Sequence, residues 1–325
     1  MSSKGPVFVL GPPRSGTTLL ANLLSNSEEM FIPMETNVFS RFWSLKISSY
    51  DVGGRLDCLL NSIAKGAPWW EDEITSINTN IRGPILQRLQ GNASHKQVLT
   101  VFMEEYAKLN GKVRWGEKTP RHVYHLETIA STYPNAYFLF IFRDPRDFLS
   151  SYKRAQATSM FGNLYSPIVT TFHLREMIRR ITKFTGSQAY QNTHMLHYED
   201  LVSDPSETMR SVCQFLELTY SDTMLDTKFM NTSFPEAKQD VVGITDKQIG
   251  NWQKHLNDLE LAVLSHGLHK EAGLIGYDLQ SYPFTVREFL AWCRLPLSLL
   301  RIAYTKAHSQ TTSTNIFSYL WKRIT

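Results

Sequence analysis

The 325-residue chain has only three cysteines, Cys58, Cys213 and Cys293, far apart and without a CxxC pair. An odd, scattered set excludes a disulfide framework and a cysteine-based zinc site; buried free thiols in a reducing compartment are the expectation. Long hydrophobic runs are missing as well. The first apolar run, Val7-Phe8-Val9-Leu10, is closed by Gly11-Pro12-Pro13-Arg14. It falls far short of the roughly 20 residues that a spanning helix needs. Neither a signal peptide nor an N-terminal anchor is expected. An excess of one charge is also absent: 34 Lys and Arg stand against 30 Asp and Glu, a net of +4. That balance is too mild to argue for nucleic acid. Internal repeats and long low-complexity segments are lacking. A chain that is 42% hydrophobic and 20% charged is not disordered, collagenous or a coiled-coil rod.

What is present is a recurring strand, turn and helix. Residues 6–10 and 136–142 are uncharged, rich in β-branched and aromatic side chains, and closed by turn residues. Strands buried on both faces look this way. Helical spacing follows each: Leu19, Leu20, Leu23 and Leu24 within 17–25, and a stretch over 145–158 that opens on Pro145. Weaker strands are read at 112–116 and 193–198. Further helices are read at 121–132 and from the cap Ser203-Asp204-Pro205-Ser206-Glu207 to about Leu216. The pattern predicts an α/β fold, a P-loop-like parallel β-sheet flanked by helices. Residues 1–280 are read as one domain, with a helical insertion over 38–110, and 281–325 as a basic helical tail.

The most informative stretch is Gly11-Pro12-Pro13-Arg14-Ser15-Gly16-Thr17-Thr18, between the first strand and the first helix. Gly, four residues, then Gly is the spacing of a Walker A loop. Such a loop wraps phosphate oxygens with backbone N–H groups and aims a helix N-terminus at them. The lysine that ordinarily follows and reaches the β- and γ-phosphates is absent. Arg14 supplies a cation inside the loop instead. A plain Gly-Pro turn is the competing reading; the flanking strand and helix and the two threonines weigh against it. A second constellation, Arg143-Asp144-Pro145-Arg146-Asp147, starts at the end of the later strand and reaches Ser151 about two helical turns on. Ligands gather outside the carboxyl ends of parallel strands, so Arg143 and Ser151 suit a second, separate phosphate. A surface ion pair of Arg143 or Arg146 with Asp144 or Asp147 is the alternative.

Together these motifs resemble the sulfotransferase family, in the Arg-Ser-Gly-Thr-Thr branch that includes tyrosylprotein sulfotransferases and bacterial enzymes. The resemblance runs over about residues 6–277 and is dense at the motifs. It implies transfer of a sulfuryl group from 3′-phosphoadenosine 5′-phosphosulfate (PAPS) to a hydroxyl acceptor such as a glycan, lipid, phenol or peptide tyrosine, with no metal ion. It implies that Arg14, Ser15, Gly16, Thr17 and Thr18 hold the 5′-phosphosulfate, and Arg143 and Ser151 the 3′-phosphate. PAPS has no β,γ-phosphate pair, which accounts for the missing lysine. Gly116-Glu117-Lys118-Thr119-Pro120 is similar to the segment whose lysine meets the transferring group, so Lys118 is the expected electrostatic catalyst. His197-Tyr198-Glu199-Asp200-Leu201 is similar to a segment near the adenine, giving Tyr198; a core tyrosine at a strand end is the alternative. Lys247-Gln248-Ile249-Gly250-Asn251-Trp252 is similar to the segment that closes over the 3′-phosphate, giving Lys247 with Trp252 beside it.

Sulfuryl transfer needs a general base. Cytosolic family members use a histidine two residues after the lysine; Pro120 stands there in this chain. The resemblance to tyrosylprotein sulfotransferases points instead to Glu35, twenty-one residues after Arg14, against a plain helix-start carboxylate. His122 is the second candidate base. Its spacing from His125 could suggest a metal pair, but no third ligand is near. Exposed or pocket-lining histidines are therefore expected there and at His266 and His269. The insertion with Trp69 and Trp70 is expected to shape the acceptor pocket.

Two alternatives stay open: a P-loop kinase or NTPase that has lost its Walker A lysine, and a non-catalytic nucleotide-binding protein. The lysine gap with the Arg143 and Ser151 pair disfavours the first, and Glu35 with Lys118 the second. The expected partners are a nucleotide and a hydroxyl acceptor, not nucleic acid, in the cytoplasm. In the tail, Phe289, Leu290, Cys293, Leu297 and Leu300 recur near helical spacing, Arg287, Arg294 and Arg301 follow every seven residues, and Pro296 should kink or split the helix. From residue 281 onward six basic residues stand against one acid. The chain's positive balance thus belongs to the tail. Residues 286–325 are expected either to pack on the core or to touch an anionic membrane peripherally.

Overall fold

The computed structural model describes residues 4–65, 67–89, 91–157, 165–187, 190–226, 244–293, 295–297 and 299–300. Its strands are β1 (Val7–Leu10), β2 (Met30–Phe31), β3 (Arg114–Lys118), β4 (Tyr137–Phe142) and β5 (Thr193–His197). Helix α1 (Thr17–Ser25) links β1 to β2. The insertion carries α2 (Val38–Arg41), α3 (Val52–Ala64), α4 (Glu71–Asn80), α5 (Arg82–Arg88) and α6 (His95–Leu109). Then come α7 (Leu126–Thr132), α8 (Pro145–Ala157), α9 (Pro167–Thr185), α10 (Tyr198–Ser203), α11 (Pro205–Leu216), α12 (Trp252–His255), α13 (Asp258–Leu274) and α14 (Val286–Cys293). By backbone packing the described residues form two compact units: 4–141, 187–196 and 204–226 in the first, and 142–186, 197–203 and 244–300 in the second.

The sheet order is β2-β3-β1-β4-β5. Strand β1 pairs in parallel with both β3 and β4, with Val9 opposite Lys118 and Leu10 opposite Phe140. The order reverses at β1, and such a reversal opens a crevice at the carboxyl ends of the strands. All four β1 side chains are 0% exposed, which is why the sequence there is purely apolar. Phe8 lies among Phe39, Trp115, Tyr133 and Phe138, with ring centroids 5.9 to 6.2 Å away. Such aromatic pairs add about 0.5–1.5 kcal/mol each beyond their burial. Next to β1, Gly116 is the residue that fits: a Cβ there would meet the Val7 carbonyl oxygen at 2.8 Å and Ile32 Cγ1 at 2.9 Å.

Several expectations shift. Strand β3 runs two residues later than 112–116, because the Val113 and Arg114 amides both donate to the Glu29 carbonyl and pairing with β2 starts only at Arg114. Residues 121–132 are not one α-helix. Pro120–His125 is a 3₁₀ turn, with the His122 amide bonded back to Thr119, and α7 follows it. Tyr198 starts α10 rather than ending β5. Cys213 is buried, but Cys58 is only partly so and Cys293, in α14, is exposed. Thr158 and the tail residues Arg294, Arg301, Lys306, Lys322 and Arg323 lie outside the described residues.

In the second unit α14 is docked by a buried charge. Glu288, 0% exposed, accepts from His266 Nδ1 at 2.8 Å, while His266 Nε2 donates to the Tyr282 carbonyl at 2.8 Å. Two acceptors require both ring nitrogens to carry protons, and the Glu288 carboxylate raises the His266 pKa accordingly. Trp292 packs edge-on against Phe172, 5.5 Å between centroids. The start of the tail therefore packs on its own unit. His266 is exposed, as expected, and is in addition the ion-pair partner of Glu288.

Candidate active site

Strand β1 feeds directly into the glycine-rich loop. Gly11 has φ +152°, and a Cβ there would meet the Ile141 carbonyl oxygen at 2.3 Å. Arg14 sits at φ +73°, a left-handed conformation that costs a non-glycine residue about 1–2 kcal/mol. Gly16, at φ +94°, precedes α1 and no side chain caps that helix. The first N–H groups of α1 lack intrahelical partners and present the positive end of the helix dipole. The sequence motif is thus a strained turn opening onto an uncapped helix start, which suits an anion. Ser15 and Thr17 are buried, and Arg14 and Thr18 are half-buried.

The register of β3 decides where Lys118 goes. It lies beside Val9, one residue before β1 ends, so both strands deliver their ends to the same edge. Lys118 Nζ donates to Glu35 Oε1 at 2.9 Å and to Thr18 Oγ1 at 3.2 Å. Three residues singled out in separate stretches of sequence are thereby within hydrogen-bond reach. The Lys118 side chain is 7% exposed and that of Glu35 38%, so the carboxylate is the member open to solvent. Trp70 Nε1 donates to the Glu35 carbonyl oxygen at 3.1 Å. Trp70 is buried and fastens the backbone at Glu35, while Trp69 is exposed.

Behind this pair lies a buried carboxylate that the sequence reading passed over. Glu117 Oε1 accepts from Thr36 Oγ1 at 2.7 Å and Thr119 Oγ1 at 2.6 Å, and Oε2 accepts from His122 Nδ1 at 2.8 Å. Burial alone raises a carboxyl pKa. The electrostatic attraction of His122, followed by the hydrogen bonds from His122, Thr119 and Thr36, nevertheless holds Glu117 below the usual carboxylate range. His122 Nε2 accepts the Phe39 amide at 3.3 Å. His122 is 0% exposed, not exposed or pocket-lining as expected, and both its ring nitrogens are engaged. It is placed poorly to serve as a general base.

The second unit holds the other predicted cluster. Arg143 follows β4, is 8% exposed, donates from Nη2 to the Gln248 carbonyl at 2.6 Å and lies over the Tyr198 ring at 4.5 Å. The ion pair weighed as an alternative is present, between Arg146 and Asp144 at 2.6 Å. Arg146 also covers Trp252 at 4.8 Å. Asp147 accepts the Gly250 and Trp252 amides at 2.7 and 2.9 Å and pins the 247–252 segment to α8. Burial raises its pKa despite these donors. Ser151 is buried on α8.

Arg154 was not foreseen. Its Nη2 reaches Gln248 Oε1 at 3.4 Å, and burial first, then the charge of Arg143, lowers its pKa. Two guanidinium groups close enough to repel suit an anion. The available signal was its place three residues after Ser151, on the same helix face. Lys247 is exposed; Gln248 is the residue of that segment that meets Arg143. Among the described residues no group of three or more His, Cys, Asp or Glu side chains is arranged to hold a metal.

The model of the sulfotransferase family matches residues 6–222, and the chain belongs to that family. It is similar to a protein-tyrosine sulfotransferase of Drosophila melanogaster, 24% identical over 229 residues, which are 67% of this chain and 39% of that one. It is also similar to an uncharacterised protein of Aquifex aeolicus, 23% identical over 288 residues, or 82% of this chain and 33% of the other. The chain thus spans well under half the length of either relative. Among solved structures, the sulfotransferase domain from the Synechococcus PCC 7002 olefin synthase has the same fold, with a TM-score of 0.58 at 18% identity over 86% of this chain and 98% of that one.

Proposed function

We propose that this protein transfers a sulfuryl group from PAPS to a hydroxyl acceptor, with Glu35 as general base. The observation that carries this reading is the Glu35–Lys118–Thr18 contact at the mouth of a Walker-spaced loop that has no Walker lysine. PAPS supplies the activated sulfuryl group. Arg14, Ser15, Gly16, Thr17 and Thr18 hold the 5′-phosphosulfate, chiefly through backbone N–H groups at the start of α1. Lys118 and Arg14 stabilise charge on the transferring group and the leaving oxygen. Glu35 takes the acceptor's proton. Arg143 and Ser151, joined by Arg154, hold the 3′-phosphate; Tyr198 borders the adenine, and Lys247 covers the nucleotide from the surface. The guanidinium pair, Arg143 buried and Arg154 half-buried, fits a compact dianion. The acceptor is a glycan, lipid, phenol or peptide tyrosine. The free thiols suit a reducing, cytoplasmic setting.

Calorimetry with adenosine 3′,5′-bisphosphate and with ATP-Mg tests this reading. The bisphosphate is expected to bind, and Arg143→Ala to weaken it about 10- to 100-fold, the usual loss for a charge-assisted contact. Tight ATP-Mg binding with no bisphosphate binding would overturn the assignment in favour of an NTPase.

The tail is proposed to touch an anionic membrane with the face it leaves outward. No described helix is long and apolar enough to cross a bilayer. Yet Val286, Phe289, Leu290, Leu297 and Leu300 are exposed while Glu288 is buried, and basic residues dominate the segment from 281 on. In co-sedimentation with anionic vesicles, Phe289→Glu with Leu297→Glu should lower the partition coefficient about tenfold or more. Equal binding of parent and variant would remove the membrane contact.

A further inference from the structure

We propose that Glu117 is a positioning residue: it sets the Glu35–Lys118 pair through a buried clamp built with Thr36, Thr119 and His122. The inference rests on the proposed sulfuryl-transfer reading for what the pair does, but not for the clamp itself. Thr36 directly follows Glu35, and Glu117 and Thr119 flank Lys118. Side chains from both stretches converge on one carboxylate, Thr36 and Thr119 on Oε1 and His122 on Oε2. Thr36, Thr119 and His122 are 0% exposed and Glu117 1%.

Each donor to Glu117 in turn receives a backbone amide. Thr119 Oγ1 accepts from Asn37 N at 3.2 Å, Thr36 Oγ1 from Val38 N at 3.4 Å, and His122 Nε2 from Phe39 N at 3.3 Å. Three successive N–H groups are thus held around one carboxylate. They begin α2, a four-residue helix whose N-cap, Asn37, stands at φ +53° and offers no side-chain cap. The clamp does the work of the missing cap and holds a left-handed residue two positions after Glu35. Its centre is a buried charge, a costly choice where apolar side chains would pack more cheaply. Complete satisfaction by three donors makes it tolerable and directional. Glu117 is sealed from solvent and acts through the backbone on either side of Glu35 and Lys118.

The test uses Thr36→Val, which keeps shape and removes one donor, Thr36→Ser, which restores it, and Glu117→Gln. A small misplacement of reacting groups costs about 10²-fold in rate. Thr36→Val and Glu117→Gln are expected to lower kcat about 10- to 100-fold while KM for PAPS and affinity for adenosine 3′,5′-bisphosphate stay within about threefold. Thr36→Ser should keep kcat within about threefold of the parent. Amide hydrogen exchange at Asn37, Val38 and Phe39 should speed up about tenfold or more in Thr36→Val and not in Thr36→Ser. Parent-like kcat in Thr36→Val overturns positioning. So does a parallel loss of kcat and bisphosphate affinity that serine does not rescue, since that marks general structural damage. If the parent shows no transfer from PAPS, the functional reading fails, and unchanged exchange in Thr36→Val separately overturns the clamp.

Discussion

Glu35→Gln is expected to reduce kcat for sulfuryl transfer about 10²–10⁴-fold, the range over which a positioned general base acts. Glutamine keeps the shape of the side chain and its hydrogen bond from Lys118, but it cannot take a proton. The main-chain bond from Trp70 to residue 35 is untouched by the change. The side chain is more than a third exposed, so the lost ion pair affects stability by at most about 1 kcal/mol. Binding of adenosine 3′,5′-bisphosphate is therefore expected to hold within about threefold. Turnover is read with labelled PAPS and acceptors from the four hydroxyl classes. Activity above about a tenth of the parent's with the best acceptor would move the base away from Glu35.

Lys118→Met is expected to be nearly as damaging. A preorganised donor aimed at developing charge contributes about 10²–10³-fold in kcat, and methionine retains most of the buried stem. Lysine and Glu35 touch at 2.9 Å, so their effects should not add. The double variant with Glu35→Gln is expected to fall within about tenfold of the worse single variant, as residues acting as a unit do. Full multiplication of the two losses would show that they serve independent steps. Lys118→Met should leave bisphosphate affinity far less changed than Arg143→Ala does, because the bisphosphate lacks the sulfuryl group.

Much of this was legible along the chain. The parallel α/β fold could be read because β1 and β4 are buried on both faces, and such strands must be apolar throughout. The loop could be read because Gly11 and Gly16 occupy conformations that side chains resist, so composition there reports backbone geometry. Glu117, Arg154 and Arg55 could not be read this way. Arg55, 2% exposed, donates to the carbonyls of Ile47, Tyr50, Gly91 and Ala93 and so ties the insertion's loops to α3. Nothing in its sequence neighbourhood marks it as buried, since its partners are mostly main-chain atoms, with the Asn92 side chain, and lie up to 38 residues away. The histidines misled for a related reason: His122 has helical spacing from His125, yet its ring is claimed by Glu117 and the turn tightens to 3₁₀.

The sequence by itself determined the fold class, the glycine-rich loop and which charged residues are candidates to meet an anion. Each of these is local, a matter of periodicity, turn chemistry or side-chain type. Only the tertiary structure decided which of those residues meet. The parallel register of β1 with β3 puts Lys118 at the end of the loop strand. The clamp around Glu117 then decides that Glu35 is the carboxylate left facing outward while His122 is sealed in. Contacts between distant stretches depend on register and on the balance between burying a charge and satisfying it, and neither quantity is written in the order of residues alone.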